Sequence, residues 1–210
     1  YPRDCKQPIK EEYLLSGPLE STNSPYAIAK ISGIEMCSSY NRQHNTKFLA
    51  AMPTNLYGPG DNYDLDNGHV IPALIRKFYE AKKSNNSSVS VWGSGKPKRE
   101  FLYRTDLAEV CVFLMNLADK KFNSLLKDNS RKNSYPIVNV GTGEDISIKD
   151  LSLLIAKISG FTGEIIFDDT KPDGTPRKLL NIDILKQLGW SPKISISDGI
   201  LKALKDFSSS

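Results

Sequence analysis

The chain is poor in cysteine, in histidine and in long apolar segments. Its 210 residues include only three cysteines, which are odd in number and show no Cys-x-x-Cys spacing: Cys5, Cys37 and Cys111. We therefore expect free thiols in a reducing compartment, and neither a disulfide framework nor a zinc site. No apolar run is long enough to span a bilayer, and the opening "YPRDCKQPIK" is not a signal peptide. These absences predict a cytoplasmic protein without a membrane anchor.

Positive and negative charges are mixed along the whole chain. The net charge is +4, and lysine and arginine are interspersed with aspartate and glutamate, without a basic block that also contains aromatic residues. This pattern argues against nucleic-acid binding. A hydrophobic content of 39% and a charged content of 25% are ordinary for a globular protein of one or two domains. Because the chain opens on Tyr-Pro without a methionine, we expect it to be part of a longer one.

Strand-like segments alternate with helical patterns along most of the chain. Helical spacing of apolar residues is found at 25–45, 69–83, 147–160, 178–190 and 194–207, and after Tyr103, where Thr105 or Asp106 is the predicted cap. Strand-like runs are found at 47–52, 88–92, 136–140 and 163–169, with a short one before Arg104. Ser147 and Gly160 are the predicted start and stop signals of one helix. The alternation predicts an α/β protein with parallel strand pairing.

Three polar stretches are predicted as loops. Residues 8–24 contain turn formers, and the run 47–52 is predicted as a buried strand that leads into a loop with the sequence "PTNLYGP". The lysine-, asparagine- and serine-rich residues 120–134 are predicted to form an exposed loop. No internal repeat is present.

The stretch "SPYAIAKISG" places Tyr26 four residues before Lys30, on one face of a predicted helix. A nearby cation favours the ionised form of a phenol and lowers its pKa, which suits a tyrosine to general acid or base catalysis near neutral pH. The same spacing also occurs where a buried tyrosine packs on a helix beside a solvated lysine. The pair alone leaves both interpretations open.

Further motifs, in the same order along the chain, resemble a known family. The Tyr-x-x-x-Lys pair resembles the extended short-chain dehydrogenase/reductases. The segments "PTNLYGPGDNYDLDNGHVIPALIRKF", "VWGSGKPKREFLY", "NVGTG" and "KPDGTPRKLLN" are similar to the GDP-L-fucose synthases within that group. The resemblance implies an NADPH-dependent enzyme that epimerises GDP-4-keto-6-deoxy-D-mannose at C3 and C5 and reduces it at C4.

The resemblance also implies a fold and its division. We expect the C-terminal part of a Rossmann-like parallel sheet with a smaller α/β substrate-binding lobe, and a cleft between the two. The partial dinucleotide-binding domain would comprise residues 1–66 and 102–143, and the substrate-binding lobe residues 67–101 and 144–210.

Roles at the nicotinamide end of the site follow from the same resemblance. Tyr26 would protonate the C4 oxygen, and Lys30 would hold the nicotinamide ribose. The loop that lines the NADP(H) site would consist of Pro53, Thr54, Asn55 and Leu56. His69 would contact the cofactor and move protons at C3 and C5, since imidazole titrates near neutrality. His44 is predicted to be an exposed residue at a helix end.

The substrate-binding residues implied by the resemblance lie in the later segments. Arg99 would bind the diphosphate, because a guanidinium suits phosphate oxygens. Trp92 would offer a flat face, although an aromatic residue at a strand end also packs in cores. Asp173 and Lys178 match substrate contacts, and Lys77 is the least distinct of the set because Arg76 adjoins it.

One expected feature is missing from the chain. A dinucleotide-binding domain has a glycine-rich turn, Gly-x-x-Gly-x-x-Gly in this family, after its first strand, and neither "GSGKPK" nor "GTGEDIS" occupies that position. The resemblance places the family's catalytic serine and epimerisation cysteine before Tyr1, and Cys5 is no substitute for that cysteine. We therefore expect an open sheet edge, exposed apolar faces, poor NADPH binding and no reductase activity in the 210-residue chain alone.

Two alternatives remain at the level of sequence. The chain is consistent with another nucleotide-sugar epimerase or dehydratase of the same group, and with a non-catalytic module that binds nucleotide sugars. His69 and "KPDGTPRK" favour the synthase. The resemblance further implies a homodimer in which the helix at 25–45 pairs with its copy.

Overall fold

The computed structural model of the protein describes residues 1–65, 67–126 and 135–209. The helices are α1 Ser24–His44, α2 Val70–Lys83, α3 Arg104–Met115, α4 Asp119–Leu126, α5 Ile148–Ser159, α6 Asp183–Leu188 and α7 Ile196–Ser209. The strands are β1 Ala50–Pro53, β2 Asn55–Tyr57, β3 Ser88–Trp92, β4 Lys98–Arg99, β5 Phe101–Tyr103, β6 Ile137–Val140, β7 Ile146–Ser147, β8 Glu164–Asp168 and β9 Arg177–Lys178. No helix in these ranges combines the length and the apolar character that a membrane span requires.

Parallel pairing dominates the sheets, as the alternation of strands and helices predicted. Strand β1 pairs with β6, β2 with β5 and β3 with β8, each in parallel. Strand β4 lies between β7, to which it is antiparallel, and β9, to which it is parallel. The α/β fold class is therefore confirmed.

The chain divides into two compact units. The first comprises Tyr1–Thr54, Leu107–Gly143 and Leu179–Ser191, and the second comprises Asn55–Asp106, Glu144–Lys178 and Pro192–Ser210. These bounds are defined by the packing of the chain. The boundaries expected from the sequence, after residues 66, 101 and 143, instead separate a dinucleotide-binding domain from a substrate-binding lobe. The functional division stays a prediction.

In the first unit, a buried asparagine ties the N-terminal segment to strand β6. Asn139 is fully buried, and its amide Nδ2 donates to the carbonyl oxygens of Ile9 at 2.8 Å and Asn181 at 3.1 Å. Its backbone N–H donates to Glu11 Oε1 at 3.0 Å, and the Tyr1 hydroxyl donates to its Oδ1 at 2.5 Å. Because buried polar groups are costly unless paired, this network fixes residues 1–13 and 179–191 onto β6.

Several large apolar side chains of the same unit are exposed. Helix α1 buries Ile34 against Leu14 and Ile137, while Ile28 and Met36 are exposed. Among the described residues, β6 is the one strand that pairs with β1. An open sheet edge and uncovered apolar side chains were expected from the sequence, and the described part of this unit agrees: β1 has no second partner there, and Ile28 and Met36 are exposed.

The second unit contains the largest apolar core. The residues of α2 predicted to share one face, Ile71, Leu74, Ile75 and Phe78, are all buried in it. The ring centroid of Phe78 lies 5.5 Å from that of Phe161. Helix α5 begins and ends as predicted: Ser147 Oγ accepts a hydrogen bond from the Asp150 N–H, and Gly160 has a φ of 72° at the C-cap.

Two predictions about strands were wrong. Residues Asn55–Tyr57 form strand β2 and not a loop, because β5 supplies a partner that local turn formers do not reveal. Strand β1 was predicted to be buried, yet Ala51 and Pro53 are exposed. Full burial requires cover on both faces, and alternate β1 residues have none within the described ranges.

Two predictions about helices also need correction. Helix α3 begins at Arg104, so Thr105 and Asp106 lie inside its first turn, and the Asp106 carboxylate instead accepts from the N–H groups of Lys193 and Ile194, each at 3.1 Å. The predicted loop at 120–134 is helical as far as Leu126. The half-buried residues Phe122, Leu125 and Leu126 share one face there. Residues 127–134 of that prediction lie outside the described residues.

Candidate active site

A pocket of about 240 Å³ opens in the second unit where the parallel strands β3 and β8 end. The loops after the carboxyl ends of parallel strands meet at one edge of a sheet and commonly bind ligands there. Helix α2, strand β4 and the loop after β8 contribute the other walls. Of the five residues expected to bind substrate, the pocket brings together Lys77, Trp92, Arg99 and Asp173.

Positive charge lies against an exposed indole in this pocket. The Trp92 side chain is 53% exposed, so it is not the core residue that a strand end often carries. Lys77 Nζ lies 5.3 Å from the centroid of the Trp92 ring and donates to the Ser90 carbonyl at 3.1 Å. Lys171 Nζ lies 5.6 Å from the same centroid. A flat ring flanked by two ammonium groups suits a ligand that combines a planar group with negative charge.

Arg99 is a half-buried cation that lines the pocket, as is Lys77. Its Nη1 donates to the carbonyl oxygens of Lys98 at 2.8 Å and Thr175 at 2.5 Å. Burial lowers the pKa of the Arg99 guanidinium, and the nearby Asp173 carboxylate acts in the opposite direction. A partly desolvated guanidinium interacts more strongly with a phosphate than an exposed one does, because less water screens the charges.

Asp173 binds a neighbouring turn of the chain. Its carboxylate accepts from the Ser94 N–H at 2.9 Å and from the Ser94 hydroxyl at 2.6 Å. These bonds from Ser94 hold the pKa of the Asp173 carboxyl below its ordinary value. Gly93 is required in this turn, since its φ is 82° and a Cβ atom there would lie 2.5 Å from Asp173 Oδ1.

Lys178 and His69 lie beside the pocket lining. Lys178 is exposed on β9 and pairs in register with Arg99 on β4, which places both side chains on the same face of that small sheet. His69 occupies the N-cap position of α2, is exposed, and makes no side-chain capping bond. Its neighbours Gly68 and Val70 line the pocket.

Tyr26 and Lys30 lie together on α1 in the first unit. Pro25 occupies the first turn of this helix, where its missing N–H costs nothing. The Tyr26 side chain is 62% exposed, and Lys30 Nζ lies 5.4 Å from the centroid of its ring. The phenol is therefore accessible, and a cation is held beside it.

The predicted cofactor loop, Pro53 to Leu56, is partly fixed by its own hydrogen bonds. The Thr54 N–H donates to the Val140 carbonyl at 2.9 Å, which extends the β1–β6 pairing by one residue. Asn55 Nδ2 donates to the Glu100 carbonyl at 2.8 Å. Pro53 and Thr54 belong to the first unit, and Asn55 and Leu56 to the second.

The described residues fit one end of a nicotinamide dinucleotide. The exposed Tyr26 hydroxyl and the Lys30 ammonium group are hydrogen-bond donors that could hold a ribose. Within the described ranges, Gly141 and Gly143 follow β6 and lead into β7, so they do not form the turn before a helix N-terminus that would hold a pyrophosphate.

Two residues that contact the pocket lining were missed from the sequence: Lys171, which lies over the Trp92 ring, and Ser94, which donates to Asp173. Lys171 belongs to the quoted segment "KPDGTPRK", where Asp173 and Lys178 alone were selected. Ser94 lies in "GSG", a turn that gave no indication of its partner 79 residues further along the chain.

Comparisons with known proteins show which sequences and folds the chain resembles. The chain is 49% identical over 210 residues to a GDP-L-fucose synthase of Escherichia coli, covering 99% of the chain and 63% of that protein. A GDP-6-OMe-4-keto-L-xylo-heptose reductase from Campylobacter jejuni is 37% identical with a TM-score of 0.87, covering 100% of this chain and 67% of that one. A GDP-L-fucose synthetase from Naegleria fowleri bound to NADP is 28% identical with a TM-score of 0.84, covering 100% and 63%.

The match to these proteins is partial in length. The chain spans between 57% and 63% of four curated relatives that it matches. Residues 1–133 also match the model of a family described as the NAD dependent epimerase/dehydratase family. That match covers more than half of the chain, and the parallel α/β fold and the exposed Tyr26–Lys30 pair are consistent with it. The chain belongs to the NAD dependent epimerase/dehydratase family.

Proposed function

We propose that this chain supplies the acid–base residues and the substrate pocket of an enzyme that makes GDP-L-fucose. The reaction is the 3,5-epimerisation and 4-reduction of GDP-4-keto-6-deoxy-D-mannose with NADPH. The observation that carries the proposal is the pocket in which the half-buried Arg99 lies with the exposed Trp92 and with Lys77. Identity of 49% to the E. coli relative supports the choice of substrate.

Binding of the nucleotide sugar is assigned to the second unit. The Arg99 guanidinium binds the diphosphate, with Lys77 as a second cation. Trp92 packs its exposed face against a flat part of the ligand. Asp173, on the loop that follows β8, and Lys178, on β9, complete the set of substrate contacts.

Protonation during the reduction is assigned to the first unit. When bound, the reduced nicotinamide supplies the hydride for C4. The Tyr26 hydroxyl donates its proton to the C4 oxygen, so that a keto group becomes a hydroxyl. Lys30 binds the ribose of the cofactor beside this phenol.

His69 is assigned to the epimerisation. Inversion at C3 and C5 requires one group to remove the proton beside the keto group and a second group to deliver a proton to the opposite face. The exposed imidazole at the start of α2 is assigned to one of these two roles, because an imidazole can accept or donate a proton.

The cofactor is proposed to be NADP(H), held by Tyr26, Lys30, His69 and the loop from Pro53 to Leu56. These residues leave the pyrophosphate without a glycine-rich turn. We therefore propose that the 210 residues alone bind NADPH poorly and have no measurable reductase activity.

Assembly and location are part of the same proposal. Exposed apolar residues on α1, among them Ile28 and Met36, favour a homodimer through this helix. The free thiols favour the cytoplasm. No nucleic-acid or membrane partner is proposed.

The test uses the whole protein, including any residues that flank this chain in its host. Incubation with GDP-4-keto-6-deoxy-D-mannose and NADPH is expected to yield GDP-L-fucose, identified by NMR. Isothermal titration of the 210-residue chain is expected to show binding of GDP without binding of NADPH. Normal turnover by the 210 residues, or no product from the whole protein, would contradict the proposal.

A second candidate is a GDP-sugar 4-ketoreductase without epimerase activity. The 37% identity to the C. jejuni reductase favours it. The product distinguishes the two: a reductase alone leaves the configuration at C3 and C5 unchanged, and replacing His69 by asparagine would then have little effect.

A further inference from the structure

The segment from Lys171 to Thr175 is attached at three points to the wall formed by β3 and β4. Lys171 lies over the Trp92 ring, the Asp173 carboxylate is bound by Ser94, and the Thr175 carbonyl accepts from Arg99. Each point involves a residue proposed to bind the nucleotide sugar: Trp92, Asp173 or Arg99. Ser94, the partner of Asp173, has no assigned role.

Ser94 donates a hydrogen bond to each oxygen of the Asp173 carboxylate. Its N–H donates to Oδ1 and its hydroxyl to Oδ2, and the same hydroxyl accepts from the Lys96 N–H at 3.2 Å. The hydroxyl therefore links the turn after β3 to the loop after β8. Charge-assisted hydrogen bonds of this kind are short and strong.

Asp173 and Arg99 line the same pocket, and the Thr175 carbonyl to which Arg99 donates lies two residues after Asp173. Arg99 directs Nη1 at two neutral carbonyl oxygens, so its positive charge is available to an anionic ligand. A carboxylate released from Ser94 would be free to approach this guanidinium and compete with a phosphate for it.

We infer that Ser94 is a positioning residue for nucleotide binding, which acts by holding Asp173 away from Arg99 and fixing the loop that follows β8. The inference rests on the proposed GDP-binding function of this pocket. It adds to that function a residue that touches no substrate atom and acts through a neighbouring carboxylate.

Titration of GDP into the full chain by calorimetry tests the inference. Ser94→Ala is expected to raise the dissociation constant about three- to tenfold, because one hydrogen bond to a charged group is lost. Ser94→Thr keeps the hydroxyl and should retain the wild-type affinity. Ser195→Ala is the matched control, since Ser195 makes the same kind of bond to Asp198, at 2.7 Å, and does not line the pocket.

A double-mutant cycle separates this role from a merely structural one. If Ser94 acts through Asp173, then Ser94→Ala in an Asp173→Asn background changes the affinity less than about twofold. Wild-type affinity in Ser94→Ala, or independent and additive losses in the double mutant, would overturn the inference while leaving the proposed function intact. Failure of the wild-type chain to bind GDP would overturn both.

Discussion

The ammonium nitrogen of Lys30 lies 5.4 Å from the centroid of the Tyr26 ring, one turn further along α1. The tyrosine is exposed, and so is the lysine. Two interpretations were open from the sequence, an acid–base pair or a tyrosine packed on a helix. The exposed phenol does not match the second of these. Its catalytic role stays a prediction.

The charge geometry of Arg99 can be tested by a conservative change. Arg99→Lys keeps a positive charge but loses the planar fork that donates to Thr175 and that would grip a phosphate. We expect the dissociation constant for GDP to rise about tenfold, measured by calorimetry. Arg76→Lys is the control, because Arg76 pairs with Glu80 along the same helix as Lys77 and does not line the pocket. Equal affinities of wild type and Arg99→Lys would contradict the assignment.

Acid titration provides a second test, through Asp173. The Ser94 hydrogen bonds lower the pKa of this carboxyl in the folded protein. The ionised carboxylate therefore stabilises the fold at pH values above the pKa that it has in the unfolded chain, and this stabilisation is lost as the pH falls through the lower pKa of the folded protein. Ser94→Ala should raise the pKa towards the ordinary value of about 3.9, followed by NMR of the carboxyl carbon. Wild type should also lose more stability than Ser94→Ala between about pH 5 and pH 3. An unchanged pKa in the variant would show that Ser94 does not stabilise the carboxylate.

The core of the second unit depends on Phe78. This side chain is fully buried and contacts the ring of Phe161. Phe78→Ala should lower the free energy of unfolding by about 3–5 kcal/mol, measured by urea denaturation. Leu153→Ala, at a side chain of α5 that is 50% exposed, is the control and should cost less than about 1 kcal/mol. Similar losses for both variants would contradict the assigned core.

Local patterns predicted the longer elements well. The apolar spacing of α2 and the Ser147 and Gly160 signals of α5 are properties of neighbouring residues, and they depend on nothing further along the chain. Strands β4 and β9, of two residues each, have no period to detect. Their pairing, and that of β2 with β5, joins residues 45 or more positions apart.

Contacts between residues that are distant in the sequence also limited the prediction of the pocket. Family motifs pointed to Arg99 and Trp92, and the fold places them together in one lining. Ser94 escaped notice because its significance comes from Asp173, which returns to it only through the parallel pairing of β3 and β8. Asp106 likewise was a candidate helix cap from the sequence. Its carboxylate instead accepts from the N–H groups of Lys193 and Ile194, which are distant in the sequence.

The central claim is that the Tyr26 hydroxyl delivers the proton to the keto-sugar oxygen. Its most direct test is steady-state turnover of GDP-4-keto-6-deoxy-D-mannose with NADPH by the whole protein that carries Tyr26→Phe. Tyr40→Phe, another exposed tyrosine of α1, serves as the control. We predict a kcat at least about 100-fold below wild type, with the dissociation constant for GDP unchanged. A kcat within about threefold of wild type would contradict the claim, because loss of a general acid cannot be so slight.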